Sequence, residues 1–520
     1  MRKRILGSLA AIAVVVGGIV AWNHRLGVPE DFADQEAQFK YGSIGTDHPM
    51  TRAPIPYWIW KVLPIMFTPS AVIKPGFGPA NDLSSYAAFG LIAETDMPRP
   101  RGFSPGQTVF ERPIGLSKRT VFGLDFVGVN CAFCHTTALR KMATDQDVEI
   151  ILGGTGNTID IEKYFLFMFA AFSDPRFTAD AVMPEILKLN KDMGLVERSV
   201  YRYVMMPYMR HVVPDLKKQF DFIDPDNATR MPKFGPGRVD TWAAYKRTFM
   251  HPPQRDTTKG VADFPSIWNQ KARTGMRLHW DGNTDILQER NIISALALIG
   301  PRLEYMDVAR LKRVTDFSMD LIPPRYVDRV PISVPEGRDD EQATRRALAE
   351  RGRAVFESEC ADCHARSGMR TGRVEPIEDL GTEPDRLAAF THELADALNE
   401  LETSAWKLRD FRAQHGYANM LLDGIWLRAP YLHNGSVPNL RDLLKVPDQR
   451  PPLFCRGSAV YDWKNVGFVS AVASQNGEAS CGEHFLFDTK QPGNGNGGHL
   501  YGTSLGELDK TALLAFLKTL

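Results

Sequence analysis

Two copies of one short cysteine and histidine motif constrain this chain more than any other feature of its sequence. The copies are Cys131-Ala-Phe-Cys134-His135 and Cys360-Ala-Asp-Cys363-His364. Each has the form C-x-x-C-H, the attachment signature of a c-type haem. The two cysteines of such a site form thioethers to the porphyrin, and the histidine becomes the proximal ligand of the iron. The sequence therefore predicts two covalently bound haem c groups.

The arrangement of the two motifs argues against a zinc site. A structural zinc site needs four nitrogen or sulfur ligands that close locally, often as neighbouring C-x-x-C pairs. Neither motif has a second pair nearby in the sequence. We therefore predict that the four motif cysteines bind the cofactors and that His135 and His364 bind the irons.

The first residues of the chain have the composition of an export signal. Arg2, Lys3 and Arg4 precede an uncharged, apolar run over residues 5–22. A basic segment followed by an apolar run directs export, and a helix of this length spans about 27 Å, close to the thickness of a membrane core. We expect residues 1–25 to be either a signal anchor or a cleaved signal peptide. The rest would then lie on the periplasmic side of the inner membrane, or be periplasmic or secreted.

The remaining cysteines and the charge balance limit the chain further. Cys455 and Cys481 lie outside both motifs, so in an oxidising compartment they form a disulfide or stay as two buried thiols. Lysine and arginine together number 62, and so do aspartate and glutamate. Because there is no basic excess, nothing in the composition indicates a nucleic-acid partner.

The chain divides around a proline-rich segment. Residues 323–338 contain four prolines and no helical periodicity, which is typical of a linker. We expect a haem c domain over residues 31–325, which would hold the active-site haem, and a cytochrome c domain over 339–520, which would hold the electron-transfer haem. The second domain should begin with a helix over 339–357 and end with one over 505–520. Gly352 and Phe356 before the second motif, with Phe516 on the terminal helix, resemble the crossed helix pair of class I cytochromes c. The resemblance implies that Gly352 permits close approach and that Phe356 and Phe516 pack where the two helices cross.

The second axial ligand of each iron decides its function, because an iron with an open position can bind oxygen or peroxide. For the second haem we predict His499, which lies in a glycine-rich loop that can approach a haem closely. His433 is the alternative, and either histidine could instead hydrogen-bond a propionate or the backbone. For the first haem, no histidine occurs between His135 and His211. That site is therefore expected to be open or weakly ligated, with His211, His251 and His279 as more distant candidates.

Three further strings carry a family resemblance. They are the W-D-G string at 280–282, the P-Y-L-H-N-G-S-V-P string at 430–438 and the D-F-P-S-I-W-N string at 263–269. Together with the two haem motifs, they resemble the dihaem cytochrome c peroxidase superfamily, and within it the rubber-oxygenase-like branch. The resemblance extends over roughly residues 40–520. It implies a mainly α, loop-rich fold with two cytochrome c-like haem domains and large insertions.

The resemblance also implies roles for individual residues. His135 would be proximal at the active haem, and His364 and His499 would ligate the electron-transfer haem. Four aromatic residues would form the distal wall or the path between the haems: Trp242, Phe264, Trp268 and Trp280. The acidic residue that peroxidases of this superfamily use falls at Gln288, with Glu289 one place later. Because an amide cannot act as a general base, peroxidase chemistry is the less expected activity.

The expected function is that of an exported haem-dependent oxidoreductase, either dioxygenase-like or peroxidase-like. The alternatives are a non-catalytic periplasmic electron carrier, a dihaem cytochrome c peroxidase, and a haem-bearing sensor or assembly module. The expected partners are a small cytochrome or cupredoxin, or a small apolar organic substrate. Trp268, Trp280, Gln288 and Glu289 are the candidate catalytic residues.

Overall fold

Helices and irregular segments make up most of the structure, and its strands are short. The computed structural model describes residues 27, 29–51, 55–67, 83–102, 111–224, 232–254, 258–300, 302–331, 333–334, 342–475 and 477–520. The α-helices are α1 Gln35–Tyr41, α2 Tyr57–Met66, α3 Ile161–Ser173, α4 Ala179–Leu189, α5 Leu195–Val200, α6 Met206–Gln219, α7 Thr241–Phe249, α8 Leu287–Ile299, α9 Val308–Asp320, α10 Gln342–Glu359, α11 Ala361–His364, α12 Ile377–Leu380, α13 Asp385–Ala389, α14 His392–Asn399, α15 Leu440–Leu443 and α16 Glu507–Leu517.

The strands pair only with antiparallel neighbours and form small sheets. They are β1 Ile55–Pro56, β2 Leu116–Val121, β3 Leu124–Val129, β4 Thr136–Leu139, β5 Glu149–Leu152, β6 Arg238–Val239, β7 Ala262–Asp263, β8 Val374–Pro376, β9 Gly416–Ala418, β10 Leu453–Arg456, β11 Tyr461–Asp462, β12 Gly467–Phe468, β13 Ala473–Gln475, β14 Glu478–Ser480 and β15 Phe485–Asp488. One sheet has three strands in the order β1-β3-β2, and the others have two.

The first motif lies between two of these sheets. It follows β3 and begins with a short 3₁₀ helix over Cys131–Phe133, after which β4 and β5 form a hairpin. Asn130 caps the short helix by accepting a hydrogen bond from the Ala132 N–H at 3.0 Å. The same side chain donates to the carbonyls of Lys40 and Gly42 at 3.2 and 3.0 Å. The first motif is thus held by a cap and loop contacts, whereas the second follows a long helix.

The second motif directly follows α10, and α10 crosses the C-terminal helix α16. A Cβ added at Gly352 would lie 1.9 Å from the carbonyl oxygen of Ala512, so only glycine allows this approach. The ring centres of Phe356 and Phe516 lie 5.1 Å apart at the crossing. The predicted close contact and aromatic pair are confirmed. Residues 339–341 of the predicted helix lie outside the described residues.

Three clusters of buried apolar residues form the core. The first lies within the N-terminal half and contains Trp60 and Phe167. The second joins Phe39 to Leu394, and the third joins Leu139 to Leu513. The second and third cores therefore draw residues from both sides of the expected domain boundary. The division into domains 31–325 and 339–520 stays a prediction.

Two predictions depend on export: the signal or anchor at the N-terminus, and the state of Cys455 and Cys481. Within the described residues, no helix combines the length and apolar character needed to cross a membrane. The predicted signal or anchor, residues 1–25, lies outside those residues. Cys455 and Cys481 form a disulfide, which decides between the two states that the sequence left open.

Candidate functional site

Each C-x-x-C-H motif lies in the wall of its own cavity. The first cavity is lined by Cys131, Cys134 and His135, and the second by Cys360, Cys363 and His364. The empty space between the lining side chains, open mouths included, is about 1310 Å³ in the first and about 1590 Å³ in the second. Apolar side chains predominate in both linings, as in most cofactor sites.

All four motif cysteines are free thiols, unlike the disulfide-bonded pair. Burial raises the pKa of Cys131 to about 11 and that of Cys360 to about 12, which keeps both thiols neutral at neutral pH. Each pair lies beside a histidine in the same cavity wall. This donor set suits a haem c group in each cavity, held by two thioethers and a proximal imidazole.

In the second cavity two imidazoles are arranged as a ligand pair. The ring centres of His364 and His499 lie 6.4 Å apart. Two imidazoles that bind one metal from opposite sides, with bonds of about 2 Å, have ring centres roughly 6 Å apart. The Nδ1 of His364 lies 2.7 Å from the Met420 carbonyl and donates to it, which leaves Nε2 with a free lone pair. Both side chains therefore have the spacing expected of axial ligands of one iron.

The glycine-rich loop before α16 brings His499 to this place. A Cβ at Gly498 would lie 2.4 Å from the Leu380 carbonyl oxygen, so the approach requires glycine. His499 itself has a φ of 47°, and its N–H donates to the Leu380 carbonyl at 2.8 Å. Arg450 donates to the carbonyls of Gly498 and His499 at 2.9 and 3.3 Å. A left-handed histidine held by several contacts is typical of a functional position.

His433 also lines the second cavity, but its Nε2 is engaged elsewhere. The Tyr417 hydroxyl donates its single proton to the Glu383 carbonyl at 2.7 Å. The His433 Nε2 lies 3.0 Å from the same hydroxyl oxygen and must therefore be the donor to it. The two rings also stack with centres 4.1 Å apart. These contacts favour His499 over His433 as the partner of His364.

The first cavity has no equivalent pair of imidazoles. The ring that contacts His135 is Phe264, edge-on with centres 6.4 Å apart. In the described part of the chain, no imidazole contacts the ring of His135. His279 lines the same cavity, with its ring edge-on to Trp242. Its Nδ1 lies 2.7 Å from the Asn283 Oδ1 and donates to it, which leaves Nε2 free as in His364, and its φ of 61° is left-handed like that of His499. His279 therefore stays a candidate ligand in this cavity, although its ring is not in contact with that of His135.

The electrostatic setting keeps the histidines of both cavities neutral. Burial, together with the charge of Arg290, lowers the pKa of His135 to about 4. Burial and the neighbouring His364 lower the pKa of His499 to about 4. Burial also lowers the pKa of His364. The neutral imidazole is the form that binds metals.

The two cavities share a wall. Asp263, Phe264, Pro265 and Trp280 line both of them. The Trp280 Nε1 donates to the Asp263 carbonyl at 2.8 Å, and the Asp263 N–H donates to the His433 carbonyl at 2.9 Å. Two hydrogen bonds therefore connect Trp280, through the Asp263 backbone, to the backbone of His433 in the wall of the second cavity.

Of the four predicted catalytic residues, Trp280 lines both cavities, and the other three line neither. Glu289 is fully buried and accepts hydrogen bonds from the N–H groups of Arg409 and Asp410 at 3.1 and 3.0 Å. These hydrogen bonds fix the position of the loop that contains Arg409 and Asp410. Trp268 is also fully buried, and its Nε1 donates to the Leu152 carbonyl at 2.7 Å. Gln288 is half-buried and, like these two residues, is not part of either cavity lining.

Sequence reasoning missed three charged residues that line the first cavity, Asp240, Arg290 and Arg386. Asp240 caps α7 by accepting a hydrogen bond from the Ala243 N–H at 2.9 Å, and burial raises its pKa. Arg290 lies one residue beyond Glu289 and points to the cavity instead of the loop. The helical period could have identified it, because Arg290, Ile293 and Ala297 fall on one face of α8.

The comparisons with known proteins identify a cytochrome c-like segment. A family model described as RoxA-like, cytochrome c-like, matches residues 416–455. Tyr417, Met420 and His433 of the second cavity wall belong to this segment. The match implies that the chain binds haem c.

Two proteins of Sinorhizobium fredii are similar to larger parts of the chain. The uncharacterized protein y4iM is 30% identical over 270 residues, which cover 46% of this chain and 57% of y4iM. The match thus spans a little over half the length of y4iM. The uncharacterized protein y4iJ is 25% identical over 560 residues, which cover 87% of this chain and 88% of y4iJ.

Proposed function

We propose that this chain is an exported dihaem c-type cytochrome that acts as an oxidoreductase of the rubber-oxygenase-like branch. Its active site would be the first cavity, and the second cavity would transfer electrons. The observation that carries this proposal is the inequality of the two cavities. His364 has a facing imidazole in His499, whereas His135 has none among the described residues.

The residues of each cavity have defined tasks in this proposal. Cys131 and Cys134 would hold one haem, with His135 as its proximal ligand, and the second motif would hold the other. An iron with two protein ligands transfers electrons, and one with an open position binds dioxygen or peroxide. The neutral His364 and His499 suit electron transfer, while the space opposite His135 suits the binding of dioxygen or peroxide.

The lining of the first cavity supports an apolar organic substrate. Phe165, Phe220, Phe222 and Phe234 all contribute to it. Aromatic side chains of this kind exclude water and bind apolar groups through dispersion and burial of surface. We infer that the reaction is a dioxygen-dependent oxidation of such a substrate.

Peroxide reduction is the second candidate function, and Asp240 favours it. Its Oδ2 has no hydrogen-bond partner in the described part of the chain, and its pKa is raised by burial. A carboxyl group of this kind can accept and return a proton beside a bound ligand. Asp240 thus offers the group that Gln288 cannot supply.

The second cavity would exchange electrons with a small cytochrome or cupredoxin. Trp280, Phe264 and the Asp263 backbone would carry electrons between the cavities because they belong to both walls. Export of the chain rests on the basic and apolar N-terminal sequence and on the extracytoplasmic setting of haem c attachment. The anchor at residues 5–22 would keep the protein on the periplasmic side of the inner membrane, unless the segment is cleaved.

Carbon monoxide titration of the reduced holoprotein tests the proposed function. Carbon monoxide needs an open position on ferrous iron, so one of the two haems should bind it and the other should not. If neither haem binds carbon monoxide, the protein is an electron carrier. Rapid oxidation of a reduced small cytochrome by added peroxide would favour the peroxidase, and oxygen uptake with an apolar substrate would favour the oxygenase.

A further inference from the structure

Arg290 is a buried cation in the wall of the first cavity. Its side chain is in the first turn of α8, and the residue is 7% exposed. Its Nη2 donates to the Gln270 Oε1 at 2.9 Å, while its Nε has no hydrogen-bond partner among the described residues. A buried guanidinium with so few partners needs a compensating group, because desolvation of a charge is costly.

Most other arginines that are equally buried lie beside carboxylates, and Arg450, which does not, donates to five backbone carbonyls instead. Arg112 is 2.7 Å from Glu30, Arg273 is 3.1 Å from Asp423, and Arg456 is 2.8 Å from Asp263. Arg290 differs, since no carboxylate of the described residues lies within 4.0 Å of its guanidinium nitrogens. The protein therefore leaves one cavity cation without a protein counter-ion.

The orientation of α8 directs this cation to the cavity. Ile293, Ser294 and Ala297 follow Arg290 at helical spacing and line the same cavity. Ser294 is exposed although Ile293 and Ala295 on either side of it are buried, so its accessible surface faces the cavity. The positive end of the helix dipole lies at the same turn and adds to the local positive charge.

We propose that Arg290 binds a small anionic ligand of the first haem, in a cavity whose other charged lining residues are Asp240, Asp263 and Arg386. The inference rests on the proposed function, because it requires haem in this cavity. Burial and the charge of Arg273 lower the pKa of Arg290 to about 10, so the guanidinium stays charged at neutral pH. Gln270 is a positioning residue that holds the guanidinium by its amide oxygen. The cavity should therefore select anions over neutral ligands of similar size.

Azide and carbon monoxide are suitable probes of this selectivity, because azide is an anion at neutral pH and carbon monoxide is neutral. Azide is titrated into the oxidised holoprotein, and carbon monoxide into the reduced holoprotein, with the first haem followed by absorption. Arg290→Gln should weaken azide binding by about tenfold or more, as expected for loss of a charged hydrogen bond. Carbon monoxide affinity should change by less than about threefold. Arg290→Lys, which keeps the charge, should restore most of the azide affinity.

The outcomes separate this inference from the proposed function. Equal azide affinity in the parent protein and Arg290→Gln, with haem attached and responsive, overturns the inference alone. A lowered midpoint potential without any loss of azide affinity means that Arg290 compensates a haem propionate, and it also overturns the inference. If the parent protein binds neither azide nor carbon monoxide, the proposed function itself fails. Intact-protein mass and haem absorption verify that each variant is folded and loaded.

Discussion

At the residue scale, hydrogen-bond partners decide which imidazole can bind an iron. His364 donates from Nδ1 to a backbone carbonyl and keeps Nε2 free, whereas His433 uses Nε2 to bond Tyr417. The motif histidines and His499 could be singled out from short strings of sequence, and their binding to iron stays a prediction. The engagement of His433 could not be predicted, because Tyr417 and the Glu383 carbonyl are brought to it only by the fold.

The proposed ligation of the second haem predicts a spin change in one variant. His499→Ala should remove one axial ligand and convert one haem from low to high spin, while both haems stay attached by their thioethers. Absorption and EPR spectra measure this conversion. Leu500→Ala is the matched control, because Leu500 is the next residue, is 55% exposed and should leave the spectra unchanged. Unaltered spectra in His499→Ala would exclude His499 as a ligand.

At the scale of elements, helices with a clear apolar period were predicted closely. The helices expected over 339–357 and 505–520 are α10 Gln342–Glu359 and α16 Glu507–Leu517 within the described residues. The surroundings of the first motif were harder to predict, since short strands and a cap with long-range contacts hold it. The sequence also did not show which face of α8 lines the first cavity. The prediction named Gln288 and Glu289, whereas the charged residue of α8 in the cavity lining is Arg290.

The crossing of α10 and α16 predicts a sharp sensitivity to side-chain size. Gly352→Val should lower the free energy of unfolding by about 1–3 kcal/mol or more, because the new side chain would overlap the α16 backbone. Ala354→Val places the same side chain at an exposed position of α10 and should cost less than about 0.7 kcal/mol. Denaturant unfolding of the holoproteins compares them. A Gly352→Val variant as stable as Ala354→Val would contradict the close crossing.

At the scale of the whole molecule, the two motifs belong to adjoining cavities. Trp280 and the 263–265 segment line both cavities, and one core cluster joins Leu139 to Leu513. The sequence could predict two haem sites because each motif is local. It could not predict their shared wall, since the wall depends on contacts between distant segments. The cytochrome c-like match covers only residues 416–455, so the proposal of a second haem rests on the first motif and its cavity.

The inequality of the two haems is the central claim, and low-temperature EPR of the oxidised holoprotein tests it most directly. The spectrum should contain two ferric signals of equal integrated intensity, one for each haem. One should be low-spin and unaffected by azide, as expected for the His364 and His499 pair, and the other should change when azide is added. Two low-spin signals that both ignore azide, or one signal that accounts for all the iron, would contradict the account.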